Sequence, residues 1–247
     1  MLLRKENRIR TIQASLAIEH NSLSTQQVTA IMEGKRVLAP QKDIQEVRNA
    51  ILTYEQLPAW KSHRLDDVLK AHQTLMLGLV DAPGHLRTGN VGVYRDNQLI
   101  HMAPPAGQLS RLMSDLLNWL KETDIHPLIA SSIFHYEFEF IHPFADGNGR
   151  MGRLWQTLIL SQWRPELAWL PVETLIHNQQ QDYYRILGEC DVGDCRRDAD
   201  RGDFIAGVVP QGAGAGKIAI TLPAGGDYGW RVVCQYLHSA LQPIYRA

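Results

Sequence analysis

The residues best equipped for chemistry crowd into one run, His142-Pro143-Phe144-Ala145-Asp146-Gly147-Asn148-Gly149-Arg150-Met151-Gly152-Arg153. An imidazole titrates near neutrality and can take a proton from a hydroxyl. Gly147, Asn148 and Gly149 let peptide N–H groups converge on an anion without side-chain obstruction, at the positive end of a helix starting there. Asp146 offers a hard oxygen suited to magnesium, and Arg150 and Arg153, three apart, share a helix face from which both address phosphates. Base, metal ligand, anion nest and paired arginines are the parts of phosphoryl or nucleotidyl transfer. A calcium loop is excluded because it would put Arg150 at the fifth ligand position. The stretch from Gly212 to Lys217 fails as a phosphate loop, since Gln211 and Ile218 fill its glycine and Ser/Thr positions.

Helices must position this run. The segment Leu128 to Ile141, with Ile129, Ile133, Phe134, Tyr136, Phe138 and Phe140, is apolar on nearly all sides and predicts a buried central helix. Pro127 fits its first turn and Pro143 ends it, holding His142 at the mouth of a rigid element. The carboxyl end of that helix favours the imidazolium, so other groups must offset it. A second helix is predicted from about Gly149 to Trp163, stopped by Pro165, with Leu154, Trp155, Leu158 and Ile159 facing the core.

Further apolar stripes at helical spacing run through Ile44, Val47, Ile51 and Tyr54, through Val68, Leu69, His72, Leu75, Met76 and Leu79, and through Leu109, Leu112, Met113, Leu116 and Leu120. Ser24 with Gln27 makes a capping box for a short helix closed by Gly34. Between Gly84 and Ala106 the texture changes to that of a small β-hairpin turning at Asp96-Asn97.

The chain of 247 residues, 45% apolar, can bury a substantial core. Its 25 Lys+Arg against 26 Asp+Glu supply no broad positive field, which argues against nucleic acid as a partner and makes phosphate recognition local. No apolar run approaches a membrane span, no signal-peptide core follows Met1, and a cytoplasmic location is expected. Cys190, Cys195 and Cys234 suit neither a disulfide framework nor a zinc site.

The run from His142 to Arg153 matches H-x-F-x-[DE]-G-N-G-R-x-x-R without a mismatch, and so resembles the signature of the Fic-domain family. From about Arg10 to Asp194 that resemblance implies a mainly α fold, a Fic-type helical bundle with a small β-hairpin flap (about 89–105). It implies transfer of AMP from ATP, with Mg2+, to a Ser, Thr or Tyr hydroxyl of a target protein or of the chain itself. His142 would be the base and Asp146 would hold magnesium on the phosphates. The nucleotide would meet Gly147, Asn148, Gly149, Arg150, Met151, Gly152 and Arg153, with Tyr183, Tyr184 and Asp191 beside the adenosine. The flap stretch Asn97, Gln98, Leu99 and Ile100 would clamp the target by strand addition.

Ser15-Leu16-Ala17-Ile18-Glu19 resembles the family's inhibitory motif [ST]-x-x-x-E-[GN], with His20 where Gly or Asn is usual. The resemblance implies that Glu19 pairs with Arg153 and obstructs the γ-phosphate. Expected divisions are an N-terminal helical region (1–60) carrying this motif (15–21), a Fic core (61–194) and a divergent tail (195–247). The tail carries no recognisable Pro-Phe-Ile helix or winged helix, and its composition resembles a shifted reading frame or an unrelated segment. Removal of AMP at the same site, another phosphate-linked transfer, and a catalytically impaired peptide- or nucleotide-binding module remain alternatives at this point.

Overall fold

The computed structural model describes residues 2–95 and 98–191. In chain order its elements are α1 (Leu2–Ile18), α2 (Thr25–Met32), α3 (Gln41–Gln56), α4 (Leu65–Leu75), β1 (Gly92–Arg95), β2 (Gln98–Met102), α5 (Leu109–Glu122), α6 (Pro127–Ile141), α7 (Asn148–Trp163), α8 (Val172–Asn178) and α9 (Gln180–Asp191). They form two compact units, one ending at Asn178 and one beginning at Gln179 with α9. The hairpin's tip residues Asp96 and Asn97, and the tail from 195 with Cys195 and Cys234, lie outside the described residues. The fold is mainly α. Among the described residues no helix is long and apolar enough to cross a membrane.

The predicted elements form where their residues demand. At α2 the Ser24 hydroxyl accepts from the Gln27 N–H and the Gln27 side chain accepts from the Ser24 N–H, the reciprocal capping box. Ile44, Val47 and Tyr54 bury the inner face of α3, and Leu109, Leu112, Met113 and Leu116 that of α5. β1 and β2 pair antiparallel, Gly92 opposite Met102 and Arg95 opposite Gln98, with a bulge between Val93 and Tyr94.

α6 packs against α5 and α7, and its Phe134 and Phe138 are fully buried. Burial is more complete on α7 than on the predicted central helix. Ile129, Tyr136 and Phe140 of α6 keep some exposure, whereas every residue of α7 from Arg150 to Leu160 is buried. Trp155 at the middle of α7 donates its indole N–H to the Ser62 carbonyl at 2.8 Å, which removes the cost of burying that polar edge. α1 is also a core element. It packs on α2, α3, α7 and α8, and buries Ile9, Ile12, Leu16 and Ile18. Burial of such side chains contributes roughly 1.5–3 kcal/mol each. The Arg8 guanidinium lies between the Tyr54 and Trp169 rings, 4.8 and 4.7 Å from their centroids.

Candidate active site

The site grows out of the junction between α6 and α7. α6 stops at Ile141, and His142 caps it in the left-handed conformation, φ +49°, costly for a residue with a Cβ. Pro143 forbids continuation of the helix. The loop is then braced from inside. The Asn148 side chain accepts from the Phe144 N–H and donates to the Phe144 carbonyl, both at 2.9 Å, around a fully buried Phe144. His72 stacks flat on Phe144, centroids 3.7 Å apart. Its Nδ1 accepts from the Gly84 N–H at 2.8 Å, so its Nε2–H is the group that donates to the Asp146 carbonyl at 3.0 Å. Burial pushes His72 down to about 4, so it serves as a neutral clamp.

α7 begins without a side-chain cap, behind Gly147 at φ +84°. Its first-turn amides are therefore open to an anion. Two buried arginines flank that end. Arg150 donates to Glu46 and to Asp146, each at 3.3 Å. Arg153, 2% exposed, donates through Nη2 to Glu19 Oε1 at 2.7 Å and to the Ser15 carbonyl at 3.0 Å, and through Nε to the Ser15 hydroxyl at 3.2 Å. The Glu19 carboxylate lies over the first turn of α7. A Cβ on Gly149 would sit 2.7 Å from Glu19 Oε1, so a larger residue there would displace the carboxylate from this position. Met151 and Gly152 are buried in the same helix.

Charge follows this geometry. Burial alone would raise the Glu19 carboxyl, but the charge and hydrogen bond of Arg153, helped by Arg150, bring it below the ordinary carboxylate value. The His142 imidazole is held below its ordinary value, first by burial and then by the neighbouring Arg87 and His101. Asp146 and the Glu139 carbonyl favour the proton, although that carbonyl forms no complete hydrogen bond to the buried His142 Nδ1. This answers the opposition of the helix terminus. His142 is disposed to be neutral and able to accept a proton.

The structure brings His142, Asp146, Gly147, Asn148, Gly149, Arg150, Arg153, Ser15 and Glu19 together. Tyr183, Tyr184 and Asp191 lie on α9 in the second unit, where the two tyrosine rings meet edge to face, centroids 5.2 Å apart. Gln98, Leu99 and Ile100 lie on β2, and Asn97 is outside the described residues. Arg87, Glu46 and His72 acquire roles that sequence reasoning missed. Arg87 had a faint signal, an arginine inside a Gly- and Pro-rich segment. Glu46 had none, since beside Val47 it reads as the solvated edge of an amphipathic helix.

Asp146 is 56% exposed, with Oδ1 engaged by the Gly147 N–H and Arg150. Among the described residues no group of three or more His, Cys, Asp or Glu is disposed to hold a metal. One exposed carboxylate fits magnesium, which takes one or two protein oxygens and fills its shell with water and phosphate oxygens.

A profile of the Fic/DOC family matches residues 62–160. A curated protein adenylyltransferase Fic of Nematostella vectensis is 30% identical over 207 residues, 78% of this chain and 45% of that protein. The Drosophila melanogaster protein of the same name is 29% identical over 206 residues, 39% of its own length. The chain thus spans less than half of these curated relatives. Fic-1 of C. elegans, at 24% identity and a TM-score of 0.59, shares the fold over 96% of this chain and 62% of that one. A crystal structure of a Fic family protein from Desulfovibrio desulfuricans G20 is 50% identical, covers 99% of this chain and 67% of that one, and superposes with a TM-score of 0.76. With the junction of α6 and α7 built from the signature run, the chain belongs to the Fic family.

Proposed function

We propose that the chain transfers AMP from ATP to a Ser, Thr or Tyr hydroxyl of a protein and that Glu19 restrains it. The observation that carries this reading is the uncapped amino end of α7, with His142 at the start of the loop before it and buried Arg150 and Arg153 on the helix itself. In the reaction the acceptor oxygen bonds to the α-phosphorus, the bond to the β-phosphate bridging oxygen breaks, and pyrophosphate leaves. His142 takes the hydroxyl proton. The amides of Gly147, Asn148 and Gly149 hold the phosphate oxygens, and Arg150 and Arg153 receive the rest of the tail. Asp146 would hold magnesium, which neutralises charge on the phosphates when bound. The edge of β2 through Gln98, Leu99 and Ile100 would take the target by strand addition, and Asn97, outside the described residues, belongs to the same reading. Tyr183, Tyr184 and Asp191 are the adenosine-side residues of this reading. The name of the curated relatives, protein adenylyltransferase, supports both the reaction and a protein acceptor.

Restraint follows from competition. Glu19 holds Arg153 and lies beside Gly149, where a phosphate would otherwise collect the same donors. The test is label transfer from α-labelled ATP with magnesium, scored on the chain itself and on a cell lysate. Transfer should rise in Glu19→Gly and vanish in Glu19→Gly/His142→Ala. No label from a folded Glu19→Gly chain would sink the reading.

A further inference from the structure

One buried guanidinium joins the hairpin to the reacting histidine. Arg87 is 6% exposed, and its fork reaches three separate segments. Nε donates to the His142 carbonyl at 2.7 Å and Nη2 to the Ile141 carbonyl at 3.3 Å, both at the end of α6. Nη1 donates to the Gly89 carbonyl at 2.7 Å, just before β1, and Nη2 to the Pro104 carbonyl at 2.6 Å, just after β2. Its own N–H donates to the Pro143 carbonyl at 3.0 Å. Both stems of the hairpin and the cap of α6 therefore hang on one rigid plane of donors, a geometry that a lysine ammonium cannot reproduce. His101 adds a second tie, from β2 to the Phe140 carbonyl at 2.9 Å.

We infer that Arg87 is a positioning residue for the transfer, fixing the hairpin edge that would offer the acceptor hydroxyl in register with the imidazole that would take its proton. The kinetic side of this inference rests on the adenylyl-transfer reading. Its electrostatic side does not. A cation bonded to the peptide oxygens of residues 141 and 142 satisfies carbonyls that the helix end leaves open and opposes a second positive charge on the adjacent ring. The charged and titratable groups facing His142 are Arg87 from the loop before β1, His101 from β2 and Asp146 from the loop after α6, with the Glu139 carbonyl on its own helix. The first two oppose the proton and the others favour it.

Two measurements on the full chain in the Glu19→Gly background test this. The first follows the His142 ring by proton NMR titration, with its signal assigned by loss in His142→Ala. Arg87→Met should move the titration upward by at least about half a pH unit, and Arg87→Lys should leave it near the parent value. If Arg87→Met does not fold, Arg87→Gln, which keeps donors without charge, takes its place. The second measures transfer to a His142→Ala copy of the chain as protein acceptor. Arg87→Lys should raise KM for that acceptor by about tenfold or more, with little change in KM for ATP. An unmoved His142 titration without the Arg87 charge overturns the inference, as does a Lys variant that weakens ATP and acceptor alike. Absence of transfer from the Arg87-intact chain counts against the adenylyl-transfer reading, and the titration then decides the inference alone.

Discussion

α1 and α6 end alike and are held differently. Each is followed or capped by a histidine in the left-handed conformation, His20 at φ +67° and His142 at φ +49°. At α6 the terminal carbonyls accept from buried Arg87, a cation at the negative end of the helix dipole. At α1 two of the terminal carbonyls are closed by the backbone, Asn21 N–H to Leu16 at 3.1 Å and His20 N–H to Ala17 at 3.0 Å, and the Ser15 carbonyl accepts from Arg153. The residue at the cap, however, is Glu19, a half-buried carboxylate at a negative helix end. It is retained by Arg153, a cation on another helix whose donors a phosphate tail can claim. On the proposed function, the difference separates an end whose cation has no other task from an end whose cation a phosphate tail would also claim. α6 delivers its histidine with a dedicated counter-charge, and α1 delivers its glutamate against its own dipole.

The largest effect expected from breaking this contrast is chemical. His142→Ala in a Glu19→Gly chain should reduce label transfer by about 10²–10⁴-fold, the usual worth of a positioned general base. Retention of more than a tenth of the activity would mean that another group takes the proton.

Acid should loosen the α6 end before the α1 end. Burial pushes His72 and His135 down to about 4 and Glu139 up to about 7. Below the ordinary histidine value of 6.5 the unfolded chain binds two protons that the native rings decline, so stability falls with pH. Between 7 and 4.5 the native Glu139 is protonated while the unfolded one is not, so it acts oppositely. Two protons against one leave a net loss of about 2–3 kcal/mol between pH 6.5 and 4.5. Glu19, held below the ordinary carboxylate value, keeps its contribution until the pH falls beneath that value. Urea midpoints measured across this range would show the decline; a flat or rising midpoint would refute the assignment.

Next comes the brace. Asn148→Ala strands the Phe144 N–H and carbonyl in a fully buried position, and should cost about 2 kcal/mol. Thermal unfolding of the full chain checks it, and a loss below about 0.5 kcal/mol would mean that the loop reorganises.

What the sequence made legible was local. The run from His142 to Arg153 could be read because its parts are contiguous, and Pro127, Pro143 and Pro165 mark helix ends by steric rules that need no partner. Glu19 and Arg153 are 134 residues apart, and only the motif carrying Ser15 linked them. Arg87 stayed hidden because its partners are peptide carbonyls, which every residue has. α7 looked less buried than α6 because periodicity counts apolar side chains. Arg150, Arg153, Gln156 and Thr157 are buried polar groups that mimic a wet face. The same bias hid Glu46, whose burial depends on Arg150 from a helix 104 residues later.

The smallest predicted effect tests the α1 end itself. His20 occupies the position past the cap where a left-handed residue is needed and where glycine pays no steric penalty. His20→Gly should therefore stabilise the fold by up to about 1 kcal/mol, less than the full strain because glycine also loses more freedom on folding. The gain is local to the turn that carries Glu19. In the Glu19-intact chain it should therefore lower residual label transfer severalfold, while in the Glu19→Gly chain it should leave the rate unchanged. If His20→Gly raises the residual rate instead, the histidine ring itself helps to retain Glu19, and the turn is held by its side chain rather than strained by it.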